Sequence, residues 1–428
     1  MQIYTRLVGS RHRDETRFDT RHKALLALVL CCASAYAQQR FYAYVGDVGP
    51  TEVLIAWGAT TGENTIGRSS VSHGPATVRI DGKTIEVPDK NWTVITGLKP
   101  DTNYPYEVLL KGRSIGKSQV RTWPEKSDKL RFFVIGDWGS GDSAQRSVAA
   151  AMLKEFQRLS GDNPVRFVIT TGDNVYGQIG LTLRFSSTGD KDTHWDSKFF
   201  RPYERLIGRI PFYPSLGNHD GNETESRGDL MAYLDNFFFP GHTASRYYRF
   251  SYGGLVDFFA LDSTTNSESG PPRPAYRKDS DQHKWLQTNM AGSRVPWKIP
   301  YFHHPPFNAG PRHPAVADDL SHFLDIFKKE GVKVVFTGHE HNFQFSRKNG
   351  ETGNIRYVVS GAGGELRTGD VRDSMDRAQM EGWAPVLHFL SVEIEGKEMR
   401  ITPLSAAPFD VLDRDGRKIN MPLRVTLE

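Results

Sequence analysis

Two different spacings of apolar residues divide the chain into an N-terminal and a C-terminal part. Between residues 41 and 122, apolar and polar residues alternate in short runs, for example at 52–57 and 92–95, and turn pairs such as Asp-Gly separate the runs. Alternation with a period of two is typical of strands that bury one face. Short strands at this spacing predict a β-sandwich, with Trp57 and Tyr104 in its core.

From residue 130 onward, short apolar runs alternate with amphipathic segments. We predict strands at 131–135, 165–170, 297–302, 332–336, 355–360, 388–394 and 399–404, and helices at 143–159, 281–290 and 322–327. Apolar strands separated by helices are typical of α/β layers whose central strands are buried. The predicted fold therefore has two domains, an all-β N-terminal sandwich and an α/β sandwich of layered β-sheets flanked by helices.

The N-terminus has the pattern of a secretory signal peptide. A basic stretch ending at Lys23 precedes an apolar run, and Ala35-Tyr36-Ala37 forms a small-residue cleavage site. The apolar run is too short to span a membrane stably, which takes about 20 residues. We therefore expect a secreted or periplasmic protein cleaved after Ala37. The predicted domains are a signal peptide with a long n-region (1–37), a sandwich (38–123), a linker (124–129) and an α/β domain (130–428).

Loss of the leader changes what the composition implies. Both cysteines, Cys31 and Cys32, lie in the leader, so the mature chain would have neither disulfides nor thiolate metal ligands. The leader also contains six basic and three acidic residues, and its removal lowers the formal net charge from +4 to about +1. A nearly neutral chain gives no reason to expect a nucleic-acid partner.

Five short motifs rich in metal ligands lie in order along the α/β part, several of them directly after an apolar run. They are Gly136-Asp137-Trp138-Gly139, Gly172-Asp173-Asn174-Val175-Tyr176, Gly217-Asn218-His219-Asp220, His303-His304-Pro305 and Gly338-His339-Glu340-His341. Carboxylate, phenol, amide and imidazole groups together suit a pair of first-row metal ions. Each motif alone is weak evidence, because Gly-Asp-x-Gly is more often a turn. Five such motifs in this order along the chain favour a hydrolase with two metal ions.

The motifs resemble those of the purple acid phosphatases, a branch of the calcineurin-like metallophosphoesterases, from residue 131 to about residue 365. Segment 97–104 is similar to the signature of fibronectin type III modules, and larger purple acid phosphatases have such an N-terminal domain. The resemblance implies a dinuclear site that contains Fe(III) and a divalent Fe, Zn or Mn ion. It implies that Fe(III) is held by Asp137, Asp173, Tyr176 and His341, and the divalent ion by Asp173, Asn218, His303 and His339.

The fourth motif departs from the family pattern. Pro300 stands where the family usually has valine, and His304 could compete with its neighbour for the ligand role. His303 is preferred, because Pro305 then falls in register with the family's His-x-Pro.

The resemblance also implies an acid phosphatase-like enzyme, a phosphoric monoester hydrolase that acts on small-molecule phosphate esters. A metal-bound hydroxide would attack phosphorus in line, and the leaving alkoxide would need a proton or a positive partner. His219 is placed for that role, with a loop-fastening hydrogen bond as the alternative. His313 lies near the position of the family's second substrate-facing histidine.

Two other functions are compatible with these motifs. One is a phosphodiesterase or nucleotidase on the same metal centre. The polar segments 178–193 and 221–228 are expected to rim the cleft and to decide between ester classes. The other is a non-catalytic surface protein in which the sandwich binds a partner. The complete ligand set argues against it, because a relict enzyme should have lost at least one ligand.

The first prediction concerns processing of the N-terminus. Protein secreted by a host with a compatible export pathway should begin at Gln38, because the A-x-A site ends at Ala37. Intact-mass spectrometry of the secreted protein tests this, with the full-length protein made in the cytoplasm as the mass reference. Mature protein that retains its leader would contradict the assignment.

Overall fold

The computed structural model describes residues 39–61, 75–176, 194–220, 231–243, 245–266 and 273–427. The predicted signal peptide and the two predicted rim segments lie outside these residues. Residues from Gln39 to Glu428 form one compact unit. Among the described helices, none combines the length and the apolar character that a membrane crossing requires.

The N-terminal part is a sandwich of two antiparallel sheets, ordered β1-β2-β5 and β4-β3-β6-β7. Its strands are β1 (Gln39–Val48), β2 (Glu52–Thr61), β3 (Ala76–Ile80), β4 (Lys83–Val87), β5 (Trp92–Thr96), β6 (Asn103–Leu110) and β7 (Arg113–Arg121). Trp57 and Tyr104 are buried as predicted. The hydroxyl of Tyr104 accepts a hydrogen bond from the backbone N–H of Lys99 at 2.8 Å, which fixes the adjoining turn.

The C-terminal part contains the remaining described strands and helices. The strands are β8 (Lys129–Ile135), β9 (Val165–Thr170), β10 (Phe212–Pro214), β11 (Tyr248–Tyr252), β12 (Val256–Ala260), β13 (Thr265–Asn266), β14 (Arg273–Pro274), β15 (Trp297–Tyr301), β16 (Val334–Thr337), β17 (Phe343–Ser346), β18 (Arg356–Ser360), β19 (Met380–Ala384), β20 (Phe389–Glu395), β21 (Glu398–Leu404), β22 (Val411–Leu412), β23 (Lys418–Ile419) and β24 (Leu423–Thr426). The helices are α1 (Ser143–Arg158), α2 (Arg201–Ile207), α3 (Met231–Asn236), α4 (Asp281–Gly292), α5 (Ser321–Lys329) and α6 (Arg372–Met375), with a π-helical turn at Asp196–Phe200 and a 3₁₀ turn at Pro240–His242.

Two large sheets form the centre of this part. One has the order β10-β9-β8-β20-β21-β24, and the other has the order β11-β12-β15-β16-β18-β17-β19-β22-β23. They pack face to face through phenylalanines: Phe132 of β8 lies 5.1 Å from Phe258 of β12 and 6.1 Å from Phe336 of β16, between ring centroids. On the opposite face of β12, Phe259 packs in a cluster with Leu286 of α4. This layered arrangement is the predicted fold class.

Both sheets have parallel centres. β8, β9 and β10 run parallel in one sheet, and β12, β15, β16 and β18 run parallel in the other. Every predicted ligand motif follows one of these parallel strands. In open α/β sheets, ligands bind beyond the carboxyl ends of the strands. The ligand motifs therefore lie where this type of fold usually binds its ligands.

Trp123, directly after β7, joins the sandwich to the α/β part. It is 4% exposed. Its ring lies 5.5 Å from Phe167, 6.1 Å from Tyr213 and 5.3 Å from Tyr252, between centroids. Its backbone N–H donates to the carbonyl of Gly49 in the sandwich at 3.1 Å. The two parts therefore share one aromatic core.

The second prediction concerns this aromatic joint. Trp123→Ala should lower the free energy of unfolding by about 3–5 kcal/mol, because it removes a buried indole and leaves a cavity between the domains. Equilibrium denaturation followed by circular dichroism measures the loss. Trp92→Ala is the control, since Trp92 is only half-buried and should cost less. A loss below about 1 kcal/mol for Trp123→Ala would show that the joint contributes little.

Candidate metal centre

Three of the predicted ligands occupy the left-handed region of backbone conformation just after a strand. The φ angles are 54° at Asp137, 49° at Asp173 and 70° at His339. Aspartate and histidine are enriched there among residues other than glycine. The resulting turns tie neighbouring strand ends together: the N–H of Asp137 donates to the carbonyl of Gly172 at 3.0 Å.

Two glycines leave room for these side chains. Gly172 has a φ of 90°, and a Cβ at this residue would lie 2.6 Å from Nδ1 of His303. A Cβ at Gly217 would lie 2.2 Å from Oδ1 of Asp173. The predicted ligands therefore occupy space that exists only because the motifs contain glycine.

Tyr176, Asp137 and His341 form the first group of converging donors. The hydroxyl of Tyr176 lies 3.2 Å from Oδ1 of Asp137 and 3.2 Å from Nε2 of His341. Nε2 of His341 lies 3.3 Å from the same Oδ1. All three side chains are buried. The phenol oxygen, the carboxylate oxygen and the imidazole nitrogen are therefore close enough together to bind one ion.

The second group surrounds Nε2 of His303. This atom lies 3.0 Å from Oδ1 of Asn218, 3.1 Å from Nδ1 of His339 and 3.4 Å from Oδ2 of Asp173. The other ring nitrogen of His303 contacts the carbonyl of Thr171 at 2.8 Å, which orients the ring. Ligand atoms of Asp137, Asp173 and His303 all lie within 4.8 Å of one another, so the two groups adjoin.

The buried carboxylates of the site need positive charge nearby. Burial raises the pKa of Asp137. Burial would also raise the pKa of Asp173, but the charges of His303 and His219 hold it well below its usual value. Burial lowers the pKa of His303, yet the carboxylates of Asp173 and Asp137 raise it to about 10. Two buried carboxylates thus force a proton onto a buried imidazole.

Metal ions fit this donor set. Lone pairs of oxygen and nitrogen that meet at 3.0–3.4 Å repel one another unless a proton or a cation lies between them. A phenol, carboxylates, an amide oxygen and imidazoles are the donors expected for borderline and hard first-row ions. The structure brings together all seven residues predicted as metal ligands, namely Asp137, Asp173, Tyr176, Asn218, His303, His339 and His341.

The two predicted catalytic histidines border this cluster from different sides. Nε2 of His219 lies 3.9 Å from Oδ2 of Asp173, and its ring centroid lies 4.7 Å from that of Tyr176. The ring centroid of His313 lies 3.9 Å from that of His339. His304, the competing residue of the fourth motif, lies 4.5 Å from His339 between ring centroids, and its Nδ1 contacts the hydroxyl of Ser263 at 2.9 Å.

Asp220 of the third motif is buried and holds two motifs together. Its carboxylate accepts from the N–H groups of Gly217 at 2.9 Å, Asn174 at 2.8 Å and Val175 at 3.2 Å. Two motifs that are 40 residues apart are thereby held together around one side chain. The Gly-Asn-His-Asp pattern gave no signal of this role, because the partners belong to another motif.

Glu365 was missed by sequence reasoning. It lies beyond β18, and its Oε2 is 3.3 Å from Nδ1 of His341. A carboxylate at the far nitrogen of a ligand histidine fixes the ring and favours its basic form. A signal was present, since 361–364 is a glycine-rich run directly after an apolar strand, as in the other motifs.

Comparison with known proteins identifies the family of the chain. The calcineurin-like phosphoesterase family matches residues 130–343, which is half of the chain. The chain is 29% identical to purple acid phosphatase 17 of Arabidopsis thaliana over 282 residues, which covers 60% of this chain and 75% of that protein. It is 27% identical to human tartrate-resistant acid phosphatase type 5 over 306 residues, which covers 65% of this chain and 88% of that protein.

Two solved structures share the fold across most of the chain. Purple acid phosphatase PPD1 from yellow lupin has a TM-score of 0.64 at 13% identity, and the match covers 90% of this chain and 74% of that one. PhoD has a TM-score of 0.63 at 13% identity, and the match covers 89% and 92%. The family match, which spans half of the chain, shows that the chain belongs to the calcineurin-like phosphoesterase family, and its sequence relatives include a purple acid phosphatase and a tartrate-resistant acid phosphatase.

Proposed function

We propose that this protein is an exported phosphatase that hydrolyses monoesters of phosphate at a pair of metal ions, Fe(III) and a divalent Fe, Zn or Mn. The observation that carries the proposal is the convergence of two donor groups that adjoin at Asp173. One group of three donors would serve a single ion. Two adjoining groups around buried carboxylates suit the paired ions that stabilise both the attacking and the leaving oxygen in phosphate-ester hydrolysis.

Asp173 is the proposed bridge between the two ions. Its Oδ2 faces His303 of the second group at 3.4 Å, and its ligand atoms lie within 4.8 Å of Asp137 in the first group. The backbone N–H of His219 donates to its Oδ1 at 2.8 Å and fixes the carboxylate plane. Asp137, Tyr176 and His341 would complete the Fe(III) site, and Asn218, His303 and His339 the divalent site.

When bound, the ions would supply Lewis acidity for the phosphate oxygens and a nucleophile generated from water. The chain's own residues orient the reaction. His219 borders Asp173 and Tyr176 at the edge of the cluster, where a protonated imidazole could donate its proton to the leaving oxygen of the alcohol.

Burial lowers the pKa of His313 to about 4. His313 is thus neutral near pH 7 and would donate a hydrogen bond to the substrate without adding charge.

The third prediction tests the bridge and the activity together. Metal-loaded protein should contain two ions per chain by elemental analysis and should hydrolyse an aryl phosphate monoester faster than the corresponding diester. Asp173→Asn should lower kcat/KM by more than about a hundredfold and exceed the loss from His339→Ala, because it disturbs both ions.

Asp162→Asn is the matched control, since Asp162 is exposed just before β9 and should change neither metal content nor rate. A stoichiometry near one ion, or a smaller loss for Asp173→Asn than for His339→Ala, would contradict the bridge. Faster diester cleavage would favour the phosphodiesterase alternative. Loaded protein that hydrolyses neither ester would favour the non-catalytic one.

The fourth prediction uses the phenol. Burial and the charge of Asp137 raise the pKa of Tyr176 well above its ordinary value, so the phenol stays protonated unless a cation binds it. A ferric ion would ionise it, by the logic that deprotonates a coordinated thiol. Oxidised, iron-loaded protein should therefore show a visible charge-transfer band, and Tyr176→Phe should abolish it while iron is retained.

Tyr104→Phe provides the control for this spectrum, because Tyr104 lies in the sandwich core and its loss should leave the band intact. Iron analysis of each sample separates loss of colour from loss of metal. A wild-type protein with full ferric occupancy and no visible band would rule out Tyr176 as a ligand.

A further inference from the structure

Glu340, between the two ligand histidines of the fifth motif, is a buried carboxylate with only one satisfied oxygen. It is 0% exposed. Its Oε2 accepts from the backbone N–H of His313 at 2.8 Å and of Arg312 at 3.3 Å. Among the described residues, its Oε1 has no hydrogen-bond partner. A buried carboxylate in this state calls for a positive charge nearby.

The guanidinium of Arg367 supplies that charge from beyond hydrogen-bond distance. Its Nε lies 4.0 Å from Oε1 of Glu340, and its side chain is 21% exposed. This separation is too long for a hydrogen bond. Nε of Arg367 is buried and has no hydrogen-bond partner within the described parts of the chain. The guanidinium therefore lies close enough to Glu340 for charge attraction, and part of its side chain remains exposed.

The position of Arg367 is fixed relative to the metal ligands. Its backbone N–H donates to the carbonyl of His341 at 2.8 Å. Two residues earlier, Glu365 contacts the ring of the same histidine. The positive charge of Arg367 also contributes, after burial, to the lowered pKa of His313. Arg367 thus lies between the loop that contains His313 and the strand end that contains His341.

The loop that contains His313 is itself firmly anchored. Besides the bonds to Glu340, the carbonyl of His313 accepts from Nδ2 of Asn308 at 2.8 Å. Nε2 of Gln344 donates to Oδ1 of Asn308 at 3.0 Å and to the carbonyl of Gly310 at 2.9 Å. The loop of His313 and the charge of Arg367 therefore meet at Glu340, one at each oxygen of its carboxylate.

We propose that Arg367 binds a non-bridging oxygen of the substrate's phosphoryl group and makes the site selective for monoesters over diesters. This inference rests on the proposed phosphatase function. At pH 7 a phosphate monoester carries about 1.5–2 negative charges, whereas a diester carries one. A guanidinium is always charged and matches phosphate oxygens with paired donors.

The fifth prediction compares two substitutions in metal-loaded protein at neutral pH. Arg367→Met keeps an unbranched apolar stem and removes the charged guanidinium. It should lower kcat/KM for an aryl phosphate monoester by about ten- to a hundredfold and lower the rate on the matching diester by less than about threefold. Arg367→Lys keeps the charge but loses the paired donors, and should fall between the wild type and Arg367→Met.

Titration calorimetry with inorganic phosphate gives a readout that does not depend on turnover. Its affinity should fall in Arg367→Met by a factor similar to the monoester loss, because phosphate presents the same oxygens. Arg372→Met is the matched control. Arg372 is an exposed arginine paired with Asp370 at 2.5 Å, and its loss should alter neither ester rate nor phosphate affinity.

Several outcomes would overturn the proposal. Equal losses on both ester classes would exclude a role in selectivity, and unchanged phosphate affinity would exclude contact with the phosphoryl group. Loss of bound metal in both Arg367 variants would show that the guanidinium serves only to neutralise Glu340. If the wild type hydrolyses neither ester, the proposed function fails, and the phosphate calorimetry still decides whether Arg367 binds this anion.

Discussion

The repulsion between two buried carboxylates, Asp137 and Asp173, is the constraint on which the rest of the site depends. Neither group has solvent to screen its charge, and their ligand atoms lie within 4.8 Å together with His303. Such an arrangement persists only where positive charge compensates it. Within the chain, the imidazole of His303 supplies such a charge, because the carboxylates raise its pKa. A pair of metal ions would also supply positive charge, and would in addition assist hydrolysis of a phosphate ester. Glycines, fastened loops and buried imidazoles all serve to hold this unfavourable pair in place.

Much of this arrangement was predictable from sequence because it is locally encoded. Four of the five ligand motifs consist of an apolar strand, a glycine and a polar residue, and the fourth motif places His303 directly after its strand without a glycine. The strand predicted at 165–170 is observed with the same bounds. Parallel strands of one sheet end at a common edge, so convergence of the motifs followed from topology. The edge strands β4 and β7 were harder to recognise, because few of their side chains are buried and their apolar residues do not alternate clearly.

The contributions that sequence reasoning missed depend on contacts between distant segments. Asp220 fastens a motif that lies 46 residues earlier. Arg367 approaches Glu340 only because β18 ends beside β16. Trp123 belongs to a stretch assigned to the sandwich, yet its ring neighbours are in the α/β sheets. No local pattern distinguishes such residues from ordinary surface or core positions, since their partners are set by the packing of whole sheets.

The left-handed backbone at Asp137, Asp173 and His339 has a consequence for how the protein acquires its ions. For residues with a side chain, this conformation costs roughly 1–2 kcal/mol relative to the right-handed one. Strand pairing and turn hydrogen bonds impose this conformation, so the fold itself bears the cost. Capture of an ion then needs no rearrangement of these turns. The site is preorganised, so little of the binding free energy is diverted into ordering the polypeptide.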